Sequence, residues 1–142
     1  MAEAIKVLVI FWAGLLVGVS FLATPIKFRA ESLSLAEALD VGRATFHAMS
    51  WVEIGLAVVL VALVGIAFSS EGLSQLVVGL AGVVVLLVLL QAVWLLPALD
   101  ERVAEIIAGS DPERSLLHTV YIGAEVVKLG ALVALAVVVG RR

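Results

Sequence analysis

The stretch GLSQLVVGLAGVVVLLVLLQAVWLLPAL, spanning 72–99, contains no charged residue. A segment of about 20 predominantly apolar residues crosses a hydrocarbon core of about 30 Å, so this one is read as a transmembrane helix. Working outward, Val7 to Ile26 supplies a second uncharged run, also long enough to span. Two further spans are less clean. One runs from about Thr45 to Phe68 and carries His47 and Glu53; the other runs from about Leu116 to Val139 and carries His118, Glu125 and Lys128. The C-terminal half of each is Val, Leu and Ala throughout, so both are expected to insert, with their charged residues toward one end.

Composition agrees. Hydrophobic residues make up 63% of the 142 and charged residues only 15%, with a mean hydropathy of +1.23. A soluble domain has roughly 45–50% apolar and about 25% charged residues, and a chain this short cannot hide such an excess in one core. The expected class is an all-α integral membrane protein, a single membrane domain over 1–142. The net charge is −3 and the nine Lys and Arg are scattered, so no basic patch can follow a phosphate backbone and no nucleic-acid partner is expected. The absence of cysteine excludes disulfides, thiol nucleophiles and thiolate metal sites. No Gly-rich phosphate loop, Ser-His-Asp spacing, HExxH or CxxC occurs, so no enzyme activity is expected.

FSSEG (68–72) reads as a tight turn, which makes the second and third spans an antiparallel hairpin. The connections Ala30–Arg43 and Pro97–Arg114 are longer, with apolar residues spaced among acidic ones; each is expected to form a short amphipathic helix in the interface. Both lie on the same side of the membrane. Five Lys and Arg lie on that side (Lys27, Arg29, Arg43, Arg102, Arg114) against three on the other, so the positive-inside rule leans toward cytoplasmic long connections. The first span is not read as a cleaved signal peptide, because its apolar run is too long and Pro25 follows the small residues Ala23 and Thr24.

The scarce residues pair at a fixed offset. Pro25 and Pro97 are 72 apart, Arg43 and Arg114 71, His47 and His118 71, and Glu53 and Glu125 72. The expectation is therefore a four-transmembrane-helix bundle built from two tandem helical-hairpin repeats, halves about 1–70 and 71–142, related by a pseudo-two-fold along the membrane normal. The second and fourth helices, and the first and third, are then diagonal partners.

Ionisable residues inside a membrane are costly and usually face the bundle interior, so they define the candidate site. At about 100° per residue, Arg114, His118, Tyr121, Glu125 and Lys128 form one stripe on the fourth helix. Glu125 and Lys128 are i, i+3 neighbours, placed to neutralise each other. On the second helix Arg43 and His47 continue the pattern, but Glu53 falls about 120° from His47, so it faces a neighbouring helix rather than the axis unless a local bulge restores the phase. Gln91 is the one strongly polar residue in the long apolar run of the third span, with Ser20 as its counterpart at the offset of the histidines; a helix-to-helix hydrogen bond is expected of it. Trp12, Trp51 and Trp94 are read as interface anchors or packing residues, and Gly14 with Gly18 as a weak GxxxG packing signal.

QAVWLLPALDERVAEIIAG (91–109), SLLHTVYIGAEVVKLGALVAL (115–135) and RATFHAMSWVEIGLA (43–57) resemble small bacterial four-span membrane proteins, similar to the domain-of-unknown-function family 4149. The resemblance implies membrane residence, in a bacterial inner (plasma) membrane, and carries no chemistry. Three function classes follow from the residues. The first is a polytopic protein that binds or conducts an ion or small solute through a polar intramembrane site made of His47, His118, Glu53, Glu125, Lys128, Tyr121, Arg43, Arg114 and Gln91. The second is a structural or accessory subunit whose stripe meets a partner membrane subunit or another copy of the chain. The third is an electron carrier with haem b held by His47 and His118 as axial ligands, and the same two histidines are the candidate ligands of a divalent metal.

Overall fold

A computed structural model describes residues 1–111 and 115–141. Four helices long and apolar enough to cross a membrane account for most of them, and there is no strand among the described residues. We number them α1 (Ala2–Lys27), α2 (Leu35–Glu71), α3 (Gln75–Ile107) and α4 (Leu117–Gly140). Each helix packs against the next and α1 closes the ring on α4, which leaves α1 opposite α3 and α2 opposite α4. The outer faces carry exposed Val, Ile, Leu and Phe, as lipid requires.

The amphipathic stretches are not separate interfacial helices. Residues 35–43 are the first turns of the 37-residue α2, and 96–107 are the last turns of α3, so both continue a span. The reason lies in the ends. Ser34 and Glu37 form a capping box, the Ser34 hydroxyl accepting from the Glu37 N–H while the Glu37 carboxylate accepts from the Ser34 N–H, which starts α2 well before the apolar run begins. At the far end of α3, Gly109 adopts φ +85°, with the Ser110 N–H donating to the Glu105 carbonyl and the Gly109 N–H to the Ile106 carbonyl. The tight turn between α2 and α3 begins at Gly72, in the left-handed region at φ +65°.

Two helices widen at matching places. Val17–Ala23 in α1 and Gln91–Leu95 in α3 are π-helical. Each stands just before a proline. Pro25 and Pro97 have no N–H to give, and their rings would collide with the carbonyls of Phe21 and Val93 on the preceding turn. The wider turn relieves the collision. The Thr24 N–H reaches back beyond the usual α-helical partner to the Val19 carbonyl, and the Leu96 N–H does the same to Gln91.

The core divides by depth. Toward the termini and the tight turn it is wholly apolar, with Ile5, Val9, Leu60, Val77, Val84, Leu132 and Leu135 fully buried. The GxxxG pair does not mark a helix contact, because a Cβ at Gly14 or Gly18 would meet nothing within 4 Å. Toward the long connections lies a smaller cluster around Leu95, Tyr121 and Ala124. The polar residues sit between the two.

Candidate functional site: a four-helix ion cluster

Every helix sends one or two polar side chains to the same point on the bundle axis. Lys128 is fully buried, and its ammonium lies 2.6 Å from Glu53 Oε1, 2.7 Å from Gln91 Oε1 and 2.8 Å from Glu125 Oε1. An ammonium has three protons, and here each has an acceptor from a different residue. The Gln91 amide donates its Nε2 to Glu125 Oε1 at 2.7 Å, the one amide orientation that offers oxygen to the cation and nitrogen to the carboxylate. Ser20 donates to Glu125 Oε2 at 2.6 Å, and Trp12 Nε1 donates to Glu53 Oε1 at 2.9 Å. Glu53, Gln91 and Glu125 are each no more than 3% exposed.

The i, i+3 spacing of Glu125 and Lys128 yields the contact that it predicts, but the pair is part of a triad. Glu53, the residue out of phase with its own helix stripe, reaches across the diagonal from α2 to Lys128 and sideways to Trp12 on α1. No bulge in α2 is needed to place it. Gln91 bonds between helices as expected, and its counterpart Ser20 bonds to the same glutamate. Both lie in the π-helical turns, each of which adds about one residue, or about 100°, to the phase of its helix. Of its two readings Trp12 takes the packing one, fully buried in the core, and adds what neither reading gives it, a hydrogen bond donated inward. Its position midway along an apolar run is the available signal, since an indole N–H at that depth needs an acceptor. Trp51 and Trp94, by contrast, are exposed on the outer faces.

The remaining candidates lie outside the cluster. His47 Nε2 is 2.5 Å from Asp100 on α3, and its side chain is half-exposed, so the residue it meets is Asp100 rather than His118. His118 is exposed, on the wall of a cleft described below. Arg43 pairs with Asp40 on its own helix at 2.8 Å. Arg114 lies outside the described residues. The described residues hold no group of three or more His, Asp or Glu placed to bind a metal ion. Neither histidine approaches the bundle axis as a haem ligand pair would require: His47 is half-exposed against Asp100, and His118 is exposed.

With Lys128 as its one cation, the cluster carries two carboxylates, leaving one formal negative charge in excess when all three are ionised. Removing an uncompensated charge from water costs several kcal/mol. A cleft of about 500 Å³ reaches the cluster from the end where the long connections lie. Ser20 and Glu125 form its floor, Tyr121 and Phe46 its waist, and Arg102, Ile106 and His118 its outer wall. The apolar half of the bundle offers no polar lining on the other side.

A family model, Domain of unknown function (DUF4149), matches residues 7–106. Trp12, Ser20, Glu53 and Gln91 fall inside that match, and Glu125 and Lys128 beyond it. No curated protein and no solved structure matches the chain.

Proposed function

The chain belongs to the DUF4149 family, whose description assigns no activity, and from its buried ion cluster we propose a proton-binding site inside the membrane, reached through the cleft. The excess carboxylate over Lys128 carries this reading. A charge that burial penalises is neutralised by a cation, and here every polar atom already touches another at 2.6–2.9 Å. That leaves no volume for a metal ion. A proton needs none. Glu125 is the residue that receives it, because Glu125 alone of the two carboxylates borders the cleft, and the Ser20 hydroxyl beside it can turn from donor to acceptor as the proton arrives. Glu53 and Lys128 respond with it, so the proton belongs to the cluster as a coupled unit. The dry half behind the cluster closes the path, and exchange takes place from one face.

Infrared difference spectra of the reconstituted protein across a pH titration test this reading. A carbonyl stretch of a protonated carboxyl is expected to grow as pH falls, to vanish in Glu125→Gln and to shift in Glu53→Gln. A protein that stays folded across the titration and shows no such band refutes the site.

A further inference from the structure

The cleft contains a hydroxyl that the protein itself does not use. Tyr121 is 5% exposed and lines the cleft one turn before Glu125, yet no described residue donates a hydrogen bond to its hydroxyl or accepts one from it. The ring is enclosed, and the oxygen keeps some accessible surface, turned to the cleft that Tyr121 lines, where a polar group of a ligand can meet it. Its ring packs edge-on to Phe46, with centroids 5.2 Å apart at 69°. Around this hydroxyl the walls are apolar and aromatic: Phe21, Phe28, Phe46, Val103 and Ile106. A cleft of about 500 Å³ lies within the range of roughly 300–1,000 Å³ usual for small-molecule sites.

Charge decides what fits. The floor is a carboxylate of a cluster with one negative charge in excess, in a dry setting where Coulomb attraction is strong. Aromatic faces attract cations as well, and this protein already shows it: the Lys27 ammonium lies 5.0 Å from the Phe28 ring centre and 5.8 Å from that of Phe46. The charged and titratable groups facing the site are Glu125, Lys128 and Tyr121 on α4, Glu53 on α2, Lys27 on α1, and Arg102 and His118 at the outer wall. His118 is exposed and Arg102 partly so at the outer wall, whereas the glutamates are almost wholly enclosed, where screening is weakest.

We propose that the cleft binds a hydrophobic organic cation, its charge held between the Tyr121 oxygen and the Phe46 ring above Glu125, in exchange for the proton of the cluster. This rests on the proton site proposed above. One cation enters, one proton leaves, and the charge of the cluster is balanced in both states. Neutral molecules of the same shape gain only the apolar contact, and anions are repelled by the floor.

Tetraphenylphosphonium and tetraphenylborate, equal in shape and opposite in charge, test the proposal on the purified full-length chain by calorimetry. The phosphonium is expected to bind once per chain and, below the midpoint of the carboxyl titration, to release a proton and bind about tenfold more tightly per unit rise in pH, levelling off above that midpoint. The borate is not expected to displace it. Ile106→Lys puts an ammonium in the cleft wall without touching the cluster and is expected to abolish phosphonium binding while the carboxyl band persists; Ile106→Glu retains binding. Equal affinity for the borate, a pH-independent affinity, or a phosphonium affinity unchanged in Ile106→Lys overturns the proposal. A titrating carboxyl band with no phosphonium binding removes the cation and leaves the proton site standing. Loss of the band removes both.

Discussion

The two ends of this bundle are built on different principles. Toward the termini and the tight turn, four helices meet through Ile, Val and Leu alone, with no exposed surface on Ile5, Val9, Leu60, Val77, Leu132 or Leu135. Toward the long connections the same helices carry prolines, π-helical turns, a cleft and every polar contact on the axis. In lipid, apolar side chains give no hydrophobic preference for one another over acyl chains, so the dry end is held by close packing. The cluster is held by charge and hydrogen bonds that have no alternative partner at that depth. One end makes a barrier, and the other makes a site.

Removing the cation strains this contrast most. Lys128→Met leaves Glu53 and Glu125 buried side by side, and is expected to cost about 3–5 kcal/mol, seen as a large fall in melting temperature in detergent. Because Lys128 contacts both carboxylates, the double variant with Glu125→Gln still strands Glu53. Only the triple variant Glu53→Gln, Glu125→Gln, Lys128→Met is expected to regain stability. A double variant as stable as the triple would mean that Glu53 contributes nothing to the cluster.

Packing comes next. Leu132→Ala in the dry end is expected to cost about 2–4 kcal/mol by the cavity it leaves, with the infrared carboxyl band unmoved. A shifted band would show that the two ends are not separate. Trp12→Phe keeps much of the ring volume and removes the indole N–H from Glu53, for an expected loss of about 1.5–3 kcal/mol and a displaced carboxyl band. Equal melting curves for Trp12→Phe and the natural protein would reduce that hydrogen bond to a packing accident.

The same division governs what is legible in the sequence. The spans and the Glu125–Lys128 and Gln91 contacts follow from hydropathy and helical spacing, both of which are local, whereas the ring order is read from the long-range pairing of scarce residues. Glu53 is only half legible: counting puts it out of phase with His47, but it reaches the cluster on the axis without a bulge, because His47 and not Glu53 is the residue turned away. Ser20 escapes assignment to the site, because its role depends on the phase of α1, and that phase shifts in a π-helical turn that no apolar pattern announces. Trp12 lies before that turn, in phase with Ile5, Val9 and Leu16, and its indole N–H is the signal there to read. The histidines escape for a related reason. An offset shared by scarce residues does not say how deep either position lies. With α2 beginning at Leu35 rather than near Thr45, His47 comes against Asp100 at the outer turns of α3.

The smallest effect concerns how the outer turns of α2 are held. Residues 35–43 are only partly covered, with Ala38 and Gly42 buried but Leu35, Glu37, Asp40 and Val41 exposed, so local devices share in holding them. The capping box of Ser34 and Glu37 is the principal one, and Ser34→Ala is expected to cost about 1 kcal/mol. Because these turns open without disturbing the packed section, the cost is expected as faster amide hydrogen exchange over 35–43 with little change in melting temperature. A fall in melting temperature as large as that of Leu132→Ala would instead tie these outer turns to the packed core, and the ends of the bundle would then unfold as one unit.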